Sequence, residues 1–340
     1  MPLAAMHSGL PALQILPNFA CNHHFLPRVE QRLNAANPHA AAKNQRIYSF
    51  EIIDREAHAL RLQHARGVSI VRNLALDNLF TFDTPLGNNL QWNFEHLFQR
   101  YERTVEVQTR AVLAKVSAGN TAVGTELVEL FAKKLLNFAR NPFSVVKMLN
   151  TFGVLAAYEP TEPKLKQAFY RILNGRRPHQ ERICRQIGIS DNDYVNWLKV
   201  LFMLFMEYGD GDASILDGTV NSLFLSEASQ VQVLLCTYTT ESCLLSDRSF
   251  TTPGDRNDVT IFDFNLCANA FVRYGFADID SFIPPNTPQH VIADFKRLRT
   301  PTVYLTHLVD DKELLRRYNQ CVVWQSHRHV YSSRKDRLII

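Results

Sequence analysis

The sequence lacks any apolar run that is long enough to span a bilayer. A membrane-spanning helix needs about 20 consecutive apolar residues, and the nearest candidate, Trp197 to Met206, is about half that length and contains Lys199. Residues Met1 to Pro17 are largely apolar, but they lack the basic start that is typical of a secretory signal peptide. We therefore expect a cytoplasmic protein without a membrane partner.

The sequence also lacks paired cysteines and the common cofactor and hydrolase motifs. Its 6 cysteines include no C-x-x-C pair, a pattern typical of reduced, buried thiols rather than of a disulfide framework. There is no G-x-G-x-x-G segment, no P-loop, no G-x-S-x-G and no H-E-x-x-H. These absences predict a protein with no cofactor and no metal site; the alternative is a metal site built from two histidines and an aspartate, whose spacing in the sequence is not diagnostic.

The composition is that of an ordinary soluble globular protein. Apolar residues make up 46% of the 340 residues and charged residues 21%, with a net charge of +4. This mild basic excess permits an anionic partner without requiring one. The length permits one to three domains with a substantial core.

The spacing at which apolar residues recur changes twice along the chain, from two residues to about 3.6 residues and back to two. Strand-like alternation occurs near both ends, for example at Arg46 to Ile52, and apolar positions at helical spacing fill the middle. We therefore predict an α+β fold, in which N- and C-terminal segments build a mixed or antiparallel sheet around a large all-helical insertion. The predicted parts are a lead-in at 1–20, core segments at 21–88 and 219–340, and a helical domain at 89–210.

Within the helical domain, the apolar positions predict one long helix from Trp92 to Val116 and another that follows Thr125. Ser190 and Asp193 are spaced as a helix N-cap and its reciprocal partner. Gly209 to Gly218 is interpreted as the boundary loop. We expect this domain to serve recognition or regulation rather than to supply catalytic groups.

The strongest candidate for a reactive site is the polar stretch Asn22 to Arg28, which contains His23 and His24. Histidine can act as acid, base or metal ligand near neutral pH. Adjacent side chains of a strand point to opposite faces, so only one of the two histidines is expected to enter a site directly. Either ring can instead be a satisfied structural group.

Two C-terminal segments carry further candidates. Asp247 follows Ser246 at a predicted strand end, where it can orient a histidine or cap a turn. Arg328 suits a phosphate or carboxylate, and Asn319 can fix a substrate or satisfy a backbone group. The predicted catalytic residues are His23, His24 and Asp247, and the predicted substrate-binding residues are Arg28, Asn319, Arg328 and His329. The basic run from Arg171 to Arg185 is a second possible phosphate-binding surface.

The order of these motifs resembles a bacterial family catalogued as domain of unknown function 4238. The resemblance covers about residues 22 to 333 and rests on His23-His24-x-x-Pro27, an aromatic segment at 78–83, Ser246-Asp247 and the stretch from Asn319 to Ser332. The family label implies no established activity, so the chemistry is argued from the side chains.

The His, Asp and Arg candidates together predict a nucleic-acid-processing hydrolase, specifically a metal-independent RNase-like toxin or defence effector. One histidine would act as general acid or base, Asp247 would orient it, and Arg28 or Arg328 would stabilise the phosphorane. The expected partner is then RNA. The alternatives are a non-enzymatic binding or sensor module for a small anionic ligand or protein partner, and a purely structural polar cluster.

Overall fold

The computed structural model describes residues 17–86, 90–207, 213–254, 259–298 and 302–340, and it confirms the predicted α+β fold. The strands are β1 Asn22–His24, β2 Arg46–Asp54, β3 Ala59–Leu62, β4 Val68–Ser69, β5 Ala75–Asp77, β6 Thr81–Asp83, β7 Trp92–Asn93, β8 Ser229–Thr237, β9 Leu245–Ser246, β10 Val259–Cys267, β11 Ala270–Asp278, β12 Val303–Val309 and β13 His329–Ser332. The helices are α1 Arg28–Leu33, α2 Glu95–Glu102, α3 Val105–Ser117, α4 Gly124–Arg140, α5 Val145–Phe152, α6 Pro163–Asn174, α7 Gln180–Ile187, α8 Asp191–Phe205, α9 Ile215–Leu225, α10 Gln289–Leu298 and α11 Lys312–Gln325.

One antiparallel sheet joins the two ends of the sequence, as predicted. Its strand order is β3-β2-β13-β9, and β4 pairs with the start of β2. Val330 of β13 lies opposite Phe50 on one side and Ser246 on the other. All three residues are buried, so the strand at 329–332 is central to the sheet.

A second sheet is built from the C-terminal segment alone, in the order β10-β11-β8-β12. Strand β12 runs parallel to β8, whereas the other pairs are antiparallel. The helical block packs against this sheet. Phe131 of α4 makes edge contacts with Tyr274 of β11 and Phe264 of β10, at ring-centroid distances of 4.9 and 5.7 Å. Strand β12 and helices α1 and α9 have no counterpart among the predicted elements.

The helical block differs from its prediction in two places. The single helix expected from Trp92 to Val116 is two helices, α2 and α3, and the chain turns at 103–104 between them. The predicted boundary loop is also too long, because Gly218 lies inside α9. Residues 209–212 of that loop are outside the described residues. Within the described ranges, no helix has the length and apolar character needed to cross a membrane.

Helix α8 is the centre of the helical block and begins where the sequence predicts. The Ser190 Oγ accepts a hydrogen bond from the Asp193 backbone N–H at 3.0 Å, which satisfies an otherwise free donor in the first turn. Apolar side chains from Trp197 to Phe205 are buried on nearly every side of this helix. A helix that is apolar all round belongs in a core.

Candidate functional site

His23 is held by backbone groups on both ring nitrogens. Its Nδ1 accepts a hydrogen bond from the Phe80 N–H at 2.9 Å, so its Nε2 carries the proton and donates to the Ala20 carbonyl, also at 2.9 Å. The ring is fully buried and stacks on Phe80. Burial lowers the pKa of His23 to about 4, against the opposing effect of the Ala20 carbonyl. His23 therefore has no free ring nitrogen for the predicted catalytic role, and its ring instead packs in the core.

His24 has a different environment, although it is the next residue of the same strand. Arg28 lies one helical turn further on, and its Nε donates to His24 Nε2 at 2.7 Å. The Val71 carbonyl oxygen also lies 3.2 Å from Nε2. Because a guanidinium can only donate, the shorter contact with Arg28 places the proton of the neutral ring on Nδ1. Burial lowers the pKa of His24 to about 4, and the charges of Arg28 and Arg140 lower it further. His24 is therefore a neutral donor at neutral pH.

Glu95, the first residue of α2, is the most perturbed carboxylate near His24. Burial raises the pKa of Glu95 to about 7, and the neighbouring charge of Glu102 adds to this effect. The cations Arg140 and Arg28 oppose it. A carboxyl group whose pKa lies close to the working pH is suited to give and take a proton.

Arg140, the last residue of α4, holds the centre of this region. Its Nη1 pairs with Glu102 at the end of α2, and its Nη2 donates to Asn137 Oδ1 at 3.1 Å. The side chain is fully buried, with the guanidinium 5.2 Å from the centre of the Phe98 ring. Such burial is costly for a cation unless anionic groups stay close, and Glu102 meets that requirement.

We call His24, Arg28, Glu95, Glu102 and Arg140 the junction cluster, because the charges of Arg28 and Arg140 act on both His24 and Glu95, and Arg140 pairs with Glu102. Three of its buried polar atoms have no hydrogen-bond partner among the described residues: His24 Nδ1, Glu95 Oε1 and Arg140 Nε. The Asn73 carbonyl favours the protonated form of His24 but makes no hydrogen bond to Nδ1. Buried polar atoms are nearly always paired with protein, water or ligand, so these three atoms are available to a water molecule or to a polar ligand.

A second buried ion pair fixes α1 on α4 beside the cluster. Lys134 Nζ lies 2.5 Å from Glu30 Oε2, and Asn137 Nδ2 donates to Glu30 Oε1 at 2.6 Å. All three side chains are buried. Since these groups satisfy one another, they hold Arg28 and Arg140 in position rather than offer a further site.

Asp247 has its carboxylate committed to the backbone. Oδ1 accepts the His327 N–H at 2.7 Å, and Oδ2 accepts the N–H groups of Arg328 and His329 at 2.7 and 2.8 Å. The residue is buried. These three short bonds all come from backbone N–H groups and none from a histidine side chain, so of the two roles predicted for Asp247, the structure favours the turn cap.

Asn319 is likewise engaged by backbone groups. Its Oδ1 accepts the Leu244 N–H at 2.9 Å, and its Nδ2 donates to the carbonyls of Ser242 and Ile339 at 3.3 and 2.7 Å. The side chain is completely buried in α11. These contacts attach the residues before β9 to the helix and provide no access for a substrate.

Arg328 and His329 lie at the surface of the five-stranded sheet. Arg328 Nη2 lies 3.1 Å from Glu51 Oε1, and 66% of the Arg328 side chain is exposed. The His329 Nε2 accepts from Gln63 Nε2 at 2.9 Å. Partial burial lowers the pKa of His329, an effect that Asp247 opposes. No hydrogen bond or ion pair joins either side chain to the junction cluster within the described ranges.

The histidine stretch and Asp247 nevertheless contact the same piece of chain, residues 141–143, from two directions. Phe25 packs edge-on against Phe143 at 5.5 Å, and the His327 ring stacks on the other side of Phe143 at 4.1 Å. Asn141 Nδ2 donates to the Asp247 carbonyl at 2.8 Å. No hydrogen bond joins either histidine side chain to Asp247 within the described ranges.

The basic run from Arg171 to Arg185 is largely used to attach helices α6 and α7 to strand β6 and its neighbours. Arg177 donates to the carbonyls of Ile172, Leu173 and Phe82, and Arg182 donates to the carbonyl of Asp77. Other members of the run, Arg171 and Arg185, pair with Asp83 and Glu181. Few of these guanidinium groups remain for a phosphate backbone.

Three members of the junction cluster come from the helical domain, which was expected to supply recognition rather than chemistry. Glu95, Glu102 and Arg140 were not among the predicted site residues. A local signal does exist in α4, where Lys134 and Asn137 interrupt the apolar face at a spacing of three residues, followed by Arg140. Polar residues on an inner helical face need buried partners.

No group of three or more His, Cys, Asp or Glu side chains within the described ranges is arranged to hold a metal ion. Comparison of the chain with protein-family models, curated proteins and solved structures finds no match. The resemblance to the family of domain of unknown function 4238 therefore stays a prediction.

Proposed function

We propose that the chain cleaves RNA at the junction cluster by metal-independent phosphodiester transfer, as a toxin or defence effector would. The observation that supports this proposal is the set of three unpartnered buried atoms, Glu95 Oε1, His24 Nδ1 and Arg140 Nε. They are an acceptor and two donors, one of them in the Arg140 guanidinium, and the Arg28 guanidinium accompanies them. A phosphodiester with an adjacent hydroxyl offers both kinds of partner, since its oxygens accept and its hydroxyl donates.

Glu95 is the proposed general base. As a carboxylate it would take the proton of the ribose 2′-hydroxyl while that oxygen attacks phosphorus. The bond from phosphorus to the 5′ oxygen then breaks, leaving a 2′,3′-cyclic phosphate, and the departing oxygen takes a proton from water or from the protonated Glu95. Because the pKa of Glu95 is about 7, both protonation states are populated near neutral pH.

Arg28 and Arg140 would stabilise the charge that develops on the phosphorane. Both guanidinium groups are fixed before substrate arrives, Arg28 by its bond to His24 and Arg140 by Glu102. Preorganised cations in a partly desolvated site stabilise a transition state more than mobile surface cations do. His24 would donate from Nδ1 to a non-bridging oxygen, so its role is that of a neutral donor rather than the predicted acid or base.

The test uses a labelled single-stranded RNA incubated with the full chain in EDTA between pH 5.5 and 8.5. The wild-type protein should release products that end in a 2′,3′-cyclic phosphate. Glu95→Gln should lower the rate by roughly 10²–10⁴-fold, the usual contribution of a general base. Glu106→Gln is the matched control, because Glu106 is a half-exposed helical glutamate that pairs only with Arg110 among the described residues.

The same assay distinguishes the alternative of a binding module. If the RNA stays intact but inorganic phosphate raises the melting temperature of the wild type and not of Arg28→Met, the cluster binds anions without chemistry. The assignment of Glu95 would be contradicted if Glu95→Gln cleaves RNA at the wild-type rate while both Glu95→Gln and Glu106→Gln melt like the wild type.

A further inference from the structure

A pocket of about 770 Å³ lies between the helical block and the second sheet, apart from the junction cluster. Helices α4, α5 and α9 form one wall, and strands β8, β10 and β11 form the other. None of the five cluster residues lines it. Its volume is within the range of about 300–1,000 Å³ that is typical of small-molecule sites.

The interior of the pocket is apolar and mainly aromatic. Its lining includes Phe131, Phe138, Phe250, Phe262 and Phe276. The rings brace one another edge to face, with Phe138 and Phe250 centroids 5.0 Å apart and Phe131 and Phe276 centroids 5.5 Å apart. Rings fixed in this way form a rigid surface for an apolar ligand.

Two charged side chains line the pocket, Lys147 and Asp278. Lys147 is exposed and forms no ion pair with a carboxylate of the described residues, so it can receive an anionic group. Asp278, on β11, keeps its negative charge while its Oδ1 accepts the Asp280 N–H at 2.9 Å, so an anionic group would lie towards Lys147 and away from Asp278. Asn150, which lies beside Lys147 on the same helix, adds an exposed amide.

We propose that this pocket binds an amphipathic carboxylate, with its apolar body among the phenylalanine rings and its carboxylate at Lys147. Burial of the body would supply most of the affinity, at about 25 cal/mol per Å² of apolar surface removed from water. Lys147 would select the acid over a neutral molecule of the same shape. This inference does not depend on the proposed cleavage of RNA.

The probe is dodecanoate below its micelle-forming concentration, measured by calorimetry against the full chain, with dodecanol as the neutral analogue. Wild type should bind dodecanoate at a single saturable site and bind dodecanol more weakly. Lys147→Met should weaken dodecanoate binding about 5-fold, the scale of one exposed ion pair, and leave dodecanol binding unchanged. Lys164→Met, a change of an exposed lysine on α6 outside the pocket, should have no effect.

A second variant tests the location. Thr260 is an exposed residue of β10 that lines the pocket, so Thr260→Trp should obstruct part of it and weaken binding of both probes. Absence of saturable dodecanoate binding would overturn the proposal. Equal dodecanoate binding by wild type, Lys147→Met and Thr260→Trp would also overturn the proposal, provided that Thr260→Trp melts like the wild type. If Thr260→Trp does not fold, the comparison of Lys147→Met with Lys164→Met decides alone.

Discussion

Arg55 and Asp247 hold the same turn, residues 323–329, through opposite backbone groups. The Arg55 guanidinium donates to the carbonyls of Val323, Trp324, Ser326 and His327 at 2.5–3.3 Å. The Asp247 carboxylate accepts the three N–H groups of residues 327–329. Between them they satisfy the end of α11 and the start of β13, and so they direct β13 into the centre of its sheet.

Asp247→Ala should therefore destabilise the fold. The substitution leaves up to three backbone N–H groups without an acceptor, and each buried unpaired donor costs about 1–3 kcal/mol. We expect a loss of roughly 3 kcal/mol or more in the free energy of unfolding, measured by urea titration. Asp336→Ala, at an exposed site, is the control. A loss for Asp247→Ala that stays within about 0.5 kcal/mol of the control would show that the turn does not need this acceptor.

Stability should also decrease as the pH falls from 6.5 to about 4. The folded-state pKa values of His23 and His24 are lowered from 6.5 to about 4, so in this window the unfolded chain binds protons that the folded chain does not. Glu95 acts in the opposite direction. Its folded-state pKa is raised from 4.5 to about 7, so its contribution is fully present below pH 4.5 and is lost as the pH rises through 7.

The pKa values of His179, His327 and His329 are also lowered, so these residues act in the same direction as His23 and His24. The net effect in that window is therefore at least two protons against one, or at least about 1.4 kcal/mol per pH unit. Glu95→Gln removes the opposing contribution and should make the slope steeper. The measurement is urea unfolding at several pH values between 6.5 and 5, with His39→Gln as a surface control that keeps the wild-type slope. A wild-type stability that stays constant over this range would be inconsistent with neutral, buried His23 and His24.

Arg28→Met should raise the pKa of His24. The substitution removes a cation and the donor that occupies Nε2 at 2.7 Å, and both favour the neutral ring. We expect an increase of roughly one unit, followed by NMR titration of the imidazole resonances. Arg72→Met changes an exposed arginine and should leave the titration unaltered. An unchanged His24 titration in Arg28→Met would mean that burial alone determines its protonation.

Ser190→Ala should cost about 1 kcal/mol of stability, because the first turn of α8 loses its capping acceptor. Ser117→Ala, on the exposed face of α3, is the matched serine and should be neutral or slightly stabilising. Comparing the urea unfolding of the two variants separates the loss of the cap from the general effect of removing a serine hydroxyl. Equal stabilities of the two variants would exclude a capping role for Ser190.

The sequence was most informative where the structure depends on near neighbours. The cap at Ser190 and the apolar character of α8 are local patterns, and both are found as predicted. The pairing of β13 with β2 followed from period-two alternation near both ends of the chain. Strand β12 was missed, although five of its seven residues are apolar or aromatic.

The candidate site was less accessible to sequence reasoning. His24 and Arg28 stand in one polar stretch and could be identified there. Glu95 and Arg140 become neighbours of His24 and Arg28 only when α2 and α4 pack beside β1. Helical periodicity in the sequence does not indicate which helix ends lie next to each other in the fold. Asp247 illustrates the converse problem, since the amides that its carboxylate binds lie some 80 residues later.

The central position of β13 has a consequence for how the protein is made. Strand β13, which lies between β2 and β9, consists of residues 329–332 and is therefore synthesised late. The first sheet is incomplete until then, although most of the chain has already left the ribosomal exit tunnel. During that interval the unpaired edge of β2 is exposed to other chains. Pairing across nearly the whole sequence also makes closure of this sheet slow. Nascent chains should therefore depend on chaperones until β13 has been inserted.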